Sequence, residues 1–131
     1  MITPEAAVQP KNDTTPVTSL YNLSMIEAIS GGDKAFINKM LALFLETVPN
    51  TLNDLKTTAD SGDWMMLSKH AHKLKSTIDS MGITSLKQDI RDIEQGGKTG
   101  GNAERLRMLT AKVLEVMELV MDEVGRNREL S

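Results

Sequence analysis

The stretch SKHAHKLKSTIDSMG, Ser68 to Gly82, gathers both histidines of the chain, His70 and His72, with Lys69, Lys73 and Lys75 around them. In a helix turning about 100° per residue the two imidazoles point roughly 160° apart, so they cannot share a metal ion. No second cluster of His, Asp or Glu offers zinc-like spacing. His72 shares its face with Met65, Ser68, Lys69, Lys75, Ser76 and Asp79, at offsets of three, four and seven. His70 neighbours Met66, Lys73, Leu74 and Thr77 instead, and those side chains suggest no chemistry for it. No acidic residue lies between Asp63 and Asp79, although the protein as a whole is acidic. Lys69 and Lys75 therefore flank His72 by one turn on either side in a local basic patch. An exposed neutral imidazole is a competent nucleophile near pH 7. Ammonium groups beside it can stabilise a phosphoryl group by charge-assisted hydrogen bonds. Ser68 and Ser76 are small enough to let a partner approach the ring. The lysines alone would read equally well as an ordinary solvated helix face.

The elements that must carry this face are all helical. Residues 1–19 hold Pro4, Pro10 and Pro16 and several threonines without periodicity, which suggests a flexible tail or the remnant of a linker. Residues 20–126 are expected to form the domain, and 127–131 a C-terminal tail. A short first helix is expected from Ser24, with Ser24 as cap and Glu27 completing a capping box, ending at Gly31-Gly32. Asp33 can cap a second helix whose apolar stripe runs Ile37, Leu41, Phe44, Val48, Leu52, Leu55. Pro49 interrupts that stripe, which predicts a kink or two helices stacked end to end. Asp63 can cap the third helix, with Trp64, Leu67, Ala71, Leu74, Ile78 and Met81 inward and Gly82 as terminator. Thr84 is expected to cap a shorter helix carrying Leu86, Ile90 and Ile93. GGKTGG, Gly96 to Gly101, reads as a flexible turn; it lacks the spacing of a phosphate-binding loop. The last helix carries Leu106, Leu109, Val113, Val116, Val120 and Val124 at steps of three and four. Short connections favour antiparallel neighbours, so the expected fold is all-α, an antiparallel up-down four-helix bundle with a short extra N-terminal helix over one end.

Composition narrows the classes of function. A chain of 131 residues suits one modest domain. Cysteine is absent, which removes disulfides, thiol nucleophiles and cysteine-bound metal, and fits a cytoplasmic location. A formal charge of −3 argues against non-specific nucleic-acid binding. No apolar run approaches the roughly 20 residues of a membrane span, and the amino end lacks the layout of a signal peptide.

The segment AHKLKSTIDSMG resembles the signature of histidine-containing phosphotransfer (HPt) domains of two-component phosphorelays, with Ala71, His72, Leu74, Lys75 and Gly82 in register. Gly32-Asp33, Phe36, Phe44, Pro49, Leu52 and Gly62-Asp63 upstream, and Leu86, Ile90 and Ile93-Glu94 downstream, extend it over about Leu20 to Val124. The resemblance implies that His72 accepts a phosphoryl group, with Lys75 as its basic companion and Lys69 as electrostatic support. It further implies that Nε2 of His72 attacks the aspartyl phosphate of a docked receiver domain, and that a second receiver aspartate takes the group onward. Partners would be receiver domains of response regulators or of a hybrid sensor histidine kinase. Met65, Ser68, Lys73, Ser76 and Asp79 would line the docking face, and Met25, Ile29 and Met40 could extend it. No cofactor is expected in this chain; Mg²⁺ would come with the receiver, and the protein would be a monomeric phosphocarrier without autokinase activity. Ser76 departs from the family pattern, which has glycine after the lysine. A phosphorylation-independent receiver-binding adaptor and a purely structural bundle are the competing readings.

Overall fold

The computed structural model describes residues 20–130, with the side chains of 128–130 excepted. The expected tail at 1–19 lies outside the described residues. Five helices follow in order: α1 (Ser24–Ser30), α2 (Lys34–Ser61), α3 (Trp64–Ser80), α4 (Lys87–Thr99) and α5 (Ala103–Leu130), with a 3₁₀ turn at Thr84–Leu86 before α4. There is no strand among the described residues. Helices α2, α3, α4 and α5 each pack on the next, and α5 closes the ring against α2, while α1 lies on α2. The result is the four-helix bundle with an extra N-terminal helix that the apolar stripes predict.

Burial follows those stripes. Leu41, Phe44, Val48, Leu52 and Leu55 of α2 face Leu67, Ala71, Leu74 and Ile78 of α3, Ile90 and Ile93 of α4, and Leu106, Val113, Met117, Val120 and Val124 of α5. Each of these side chains except Ala71 contributes about 1.5–3 kcal/mol when removed from water. Leu109 and Val116 only border the core, and Thr110 and Met117 take the inward positions beside them. Thr110 is tolerated there because its hydroxyl donates to the Leu106 carbonyl at 2.8 Å.

Local signals set most helix ends. Asp33 accepts from the backbone N–H groups of Ala35 and Phe36, and Asp63 from that of Met66. Both therefore satisfy first-turn donors, as capping aspartates do. At α1 the expectation fails: Leu23 occupies the cap position, and Asn22 Oδ1 accepts from the Ser24 N–H at 2.8 Å. Asn22 does from outside what Ser24 was expected to do. Thr84 opens the 3₁₀ turn rather than capping α4, which Leu86 precedes.

Three further expectations are corrected. α2 is one helix of 28 residues through Pro49, so the stacked pair is not formed. Pro49 sits on the exposed side of α2, where a carbonyl deprived of its donor can be solvated. α5 continues to Leu130, so residues 127–130 are helix and not tail. Within GGKTGG, Gly96, Gly97, Lys98 and Thr99 belong to α4, and only Gly100 and Gly101 form the turn. The reason is close packing. A Cβ on Gly97 would lie 2.6 Å from the Trp64 carbonyl oxygen and 2.9 Å from Ser68 Cβ, and one on Gly96 would lie 2.7 Å from Leu106 Cδ2. These glycines bring the last turn of α4 against α3 and α5.

Gly82 serves a different approach. Its φ of +63° turns the chain out of α3, and a Cβ there would strike the backbone of Asn22. The Asn22 N–H donates to the Met81 carbonyl at 2.8 Å, which ties the segment before α1 to the end of α3. The α3–α4–α5 side is further pinned by ion pairs: Arg91 with Asp79, Arg105 with Asp92, and Lys112 with Asp89.

Candidate functional site

α3 and α4 lie close because Gly97 faces Ser68, and that closeness builds the site. Ser68 is buried, and its hydroxyl donates to the Glu94 carbonyl at 2.7 Å. Ser68 is therefore a strut between helices and not part of an exposed docking face, which corrects the expectation from its helical offset. One turn further along α3, His72 and Lys75 reach across the same seam to the Glu94 side chain. His72 Nδ1 lies 2.7 Å from Glu94 Oε2, and Lys75 Nζ lies 2.7 Å from Oε1. Lys98, one turn after Glu94 on α4, brings its Nζ to 3.5 Å from Oε2.

Glu94 is almost enclosed, at 9% exposed, and its acidity is strongly shifted. The hydrogen bond from Lys75 holds its carboxyl down at about 2; burial opposes this, and the His72 contact reinforces it. Glu94 is thus ionised throughout the physiological range, and an ionised carboxylate can only accept. The proton of a neutral His72 must then sit on Nδ1, which leaves the Nε2 lone pair unprotonated. The ring is 68% exposed, and no described protein group hydrogen-bonds Nε2. A nucleophilic nitrogen is presented to solvent with its tautomer fixed from behind.

The other expected residues divide. Lys69 and Lys73 are exposed beside His72, as is Met65. Ser76 is exposed, and its hydroxyl turns back to the Lys73 carbonyl at 3.2 Å, so it adds little bulk to the outer surface. Lys75 is only 28% exposed and committed to Glu94. Asp79 is committed too: Arg91 donates to both of its oxygens, at 2.7 and 3.2 Å, and holds its acidity below the ordinary carboxylate value. Asp79 therefore adds little free negative charge to the face. His70 is half-buried on another side of α3 and does not join the cluster.

An apolar margin borders α3 on the side of α1 and α2. Met25, Ile29, Phe36, Met40 and Leu43 are exposed on these two helices, and Met40 and Leu43 line a shallow hollow of about 110 Å³ together with Thr77 and Ser80 of α3. A hollow of about 370 Å³ between Pro49 and Leu52 of α2 and Leu114 and Met121 of α5 contains none of the site residues. His72 thus stands on an open surface, which suits a macromolecular partner better than an enclosed small substrate. No helix among the described residues is long and apolar enough to cross a membrane.

Sequence reasoning aligned Glu94 with the family pattern but gave it no task, and it missed Lys98. Glu94 carried a signal, since a carboxylate directly after the apolar Ile90–Ile93 pair sits at the border of the buried stripe. Lys98 was hidden by the glycines around it.

Comparison with curated proteins returned no match, and neither did comparison with solved structures. A scan against protein-family models matches residues 39–126 to the Hpt domain, a span that takes in His72, Lys75, Glu94 and Lys98. The chain belongs to the Hpt domain family, whose members serve phosphotransfer in two-component signalling and interact there with receiver domains.

Proposed function

We propose that this protein is a phosphorelay intermediate that takes a phosphoryl group from a receiver-domain aspartate onto Nε2 of His72 and yields it to a second receiver aspartate. The observation that carries the reading is the hydrogen bond between His72 Nδ1 and the ionised Glu94, which leaves an exposed, unprotonated Nε2. As the N–P bond forms, the bond between phosphorus and the aspartyl oxygen breaks, and its electron pair returns to that carboxylate. The proton on Nδ1 stays in place, and the positive charge gathering on the ring is met by Glu94. Lys75 keeps Glu94 ionised and oriented, and so acts as a positioning residue more than as a direct phosphoryl ligand. Lys69 and Lys73 add positive potential that steers an acidic partner. Met65 and the apolar margin of α1 and α2 supply contact area, and methionine adapts to more than one partner surface.

Mg²⁺ belongs to the receiver in this scheme, and the chain works as a phosphocarrier without autokinase activity. The test is transfer of radiolabel from a phosphorylated receiver domain to wild type, His72→Gln and His70→Gln. Label is expected on wild type and His70→Gln, acid-labile and alkali-stable as on phosphohistidine. Label that survives His72→Gln refutes the assignment. Stable receiver binding without any label on wild type would make the protein an adaptor instead.

A further inference from the structure

We propose that Lys98 is a phosphoryl-binding residue: when His72 carries a phosphoryl group on Nε2, the Lys98 ammonium leaves Glu94 and hydrogen-bonds the phosphoryl oxygens. The inference rests on His72 being the acceptor. It adds a residue outside the sequence signature and moves direct phosphoryl contact away from Lys75.

Three observations carry it. First, Glu94 offers one negative charge to three partners. Lys75 and His72 Nδ1 hold its two oxygens at 2.7 Å each, while Lys98 stands at 3.5 Å from the oxygen that His72 already occupies. Charge-assisted bonds of this kind normally close to about 2.7–2.9 Å, so Lys98 is the loosely held partner. Second, exposure separates the two lysines. Lys98 is 58% exposed against 28% for Lys75. Withdrawing Lys75 would strip an enclosed carboxylate of its main counter-charge, a costly change, whereas the solvated Lys98 ammonium, at 3.5 Å and 58% exposed, gives up its contact cheaply because Lys75 and His72 still hold both oxygens. Third, the helix is built to bring Lys98 here. The contacts of Gly97 with Trp64 and Ser68 keep the last turn of α4 helical and hold it against α3. As a flexible turn, GGKTGG would not keep that ammonium beside the imidazole.

The charge change supplies the driving force. A phosphoryl group brings about −1.5 to −2 charges at neutral pH to the far edge of a ring whose near edge already faces Oε2. Lysine's four-carbon stem rotates freely enough to follow it. Among the described residues Lys98 is the one cation that touches the imidazole's own partner and is not needed to hold it.

Phosphoramidate tests this without a receiver. The His72 Nε2 lone pair forms the N–P bond, the reagent's P–N bond breaks, and ammonia leaves with that electron pair. Full-length wild type, Lys98→Gln and Lys98→Arg are phosphorylated in this way and followed by ³¹P NMR across pH. A cation on the phosphoryl oxygens lowers the pH of their second ionisation. Lys98→Gln should move that midpoint up by about half a unit and slow labelling roughly two- to fivefold, the scale of one exposed charge contact. Lys98→Arg should keep both close to wild type. Circular dichroism confirms that the variants fold. A Lys98→Gln variant that titrates and labels like wild type overturns the proposal. So does slower labelling in both variants with an unmoved midpoint, which would leave Lys98 a packing role. If neither phosphoramidate nor a phosphorylated receiver labels wild-type His72, the reading of His72 fails and takes this one with it.

Discussion

Glu94 of α4 holds His72 of α3 by a hydrogen bond of 2.7 Å between Oε2 and Nδ1, across 22 positions of sequence. The proposed acceptor face thus belongs to the seam between two helices, and on this reading its chemistry depends on how tightly that seam is closed.

Glu94→Gln keeps the shape of the side chain but removes its charge and frees the tautomer of His72. A lost hydrogen bond to a charged group is worth about 1.5–3 kcal/mol, or roughly 10- to 100-fold in an equilibrium or rate. Phosphoryl acceptance from a receiver, measured as initial rate of label transfer, should fall by about that factor while receiver binding persists. An unchanged rate would show that the ring needs no support from behind.

The same carboxyl sets a pH dependence of stability. Its acidity is displaced from 4.5 to about 2 in the folded protein, chiefly by Lys75. A lowered folded value means the stabilisation is complete above the unfolded value and is lost as pH falls through the folded one. Asp79, held down by Arg91, works in the same direction. Urea midpoints should therefore drop between about pH 5 and pH 2, and Glu94→Gln should flatten part of that slope. Equal slopes for both proteins would contradict the account.

Gly97 tests the closure of the seam. Gly97→Val puts atoms where the Trp64 carbonyl and Ser68 already stand, and overpacking of this kind costs about 1–3 kcal/mol. The thermal midpoint should fall, and labelling of His72 should slow because Glu94 moves with α4. Gly125→Ala is the contrasting change: it is helical with nothing within 4 Å of the added Cβ, so it should stabilise by about 0.5–1 kcal/mol.

The apolar margin is separable from the chemistry. Leu43 is half exposed on α2, so Leu43→Glu should fold normally. Receiver affinity measured by calorimetry should weaken about 10-fold or more if this margin is buried in the complex, as for a central interface side chain. Labelling by phosphoramidate should not change. Loss of both activities would place Leu43 in the fold and not in docking.

Ser76→Gly restores the family's residue. Serine to glycine in a helix costs about 0.5 kcal/mol, because serine is already a weaker helix former than alanine, and the Ser76 hydroxyl is already folded back onto Lys73. Transfer rates should stay within about twofold of wild type. A large acceleration would mean that the hydroxyl obstructs the partner after all.

The bundle was legible because each long helix carries a stripe of three- and four-residue steps, and because Asp33 and Asp63 announce their helices. The position of His72 was legible from angular spacing alone. Ser68 was not, because an offset of four places a side chain on a stripe but does not say where the neighbouring helix crosses it. Glycine misled the reading of 96–99 for the same reason. Gly96 and Gly97 are there to let helices touch, and single-sequence patterns cannot tell a contact glycine from a turn glycine. The ion pairs that tie α4 to its neighbours, and the convergence of Lys75 and Lys98 on Glu94, join residues too far apart in sequence for local periodicity to register.

The first and last described segments meet: the Leu20 N–H donates to Glu123 at 3.1 Å, and Asn127 donates to the Tyr21 hydroxyl. Between Leu20 and Asn127 the described segment is in effect a loop already closed. A circular permutant of residues 20–127, joined from Asn127 back to Leu20 and opened at Gly100–Gly101, would have to form no new long-range contact. His72 sits eight residues from either end of α3, so the new joint would not fall on its helix, whereas the new ends would follow Lys98 by only two residues and would test how firmly the last turn of α4 is held.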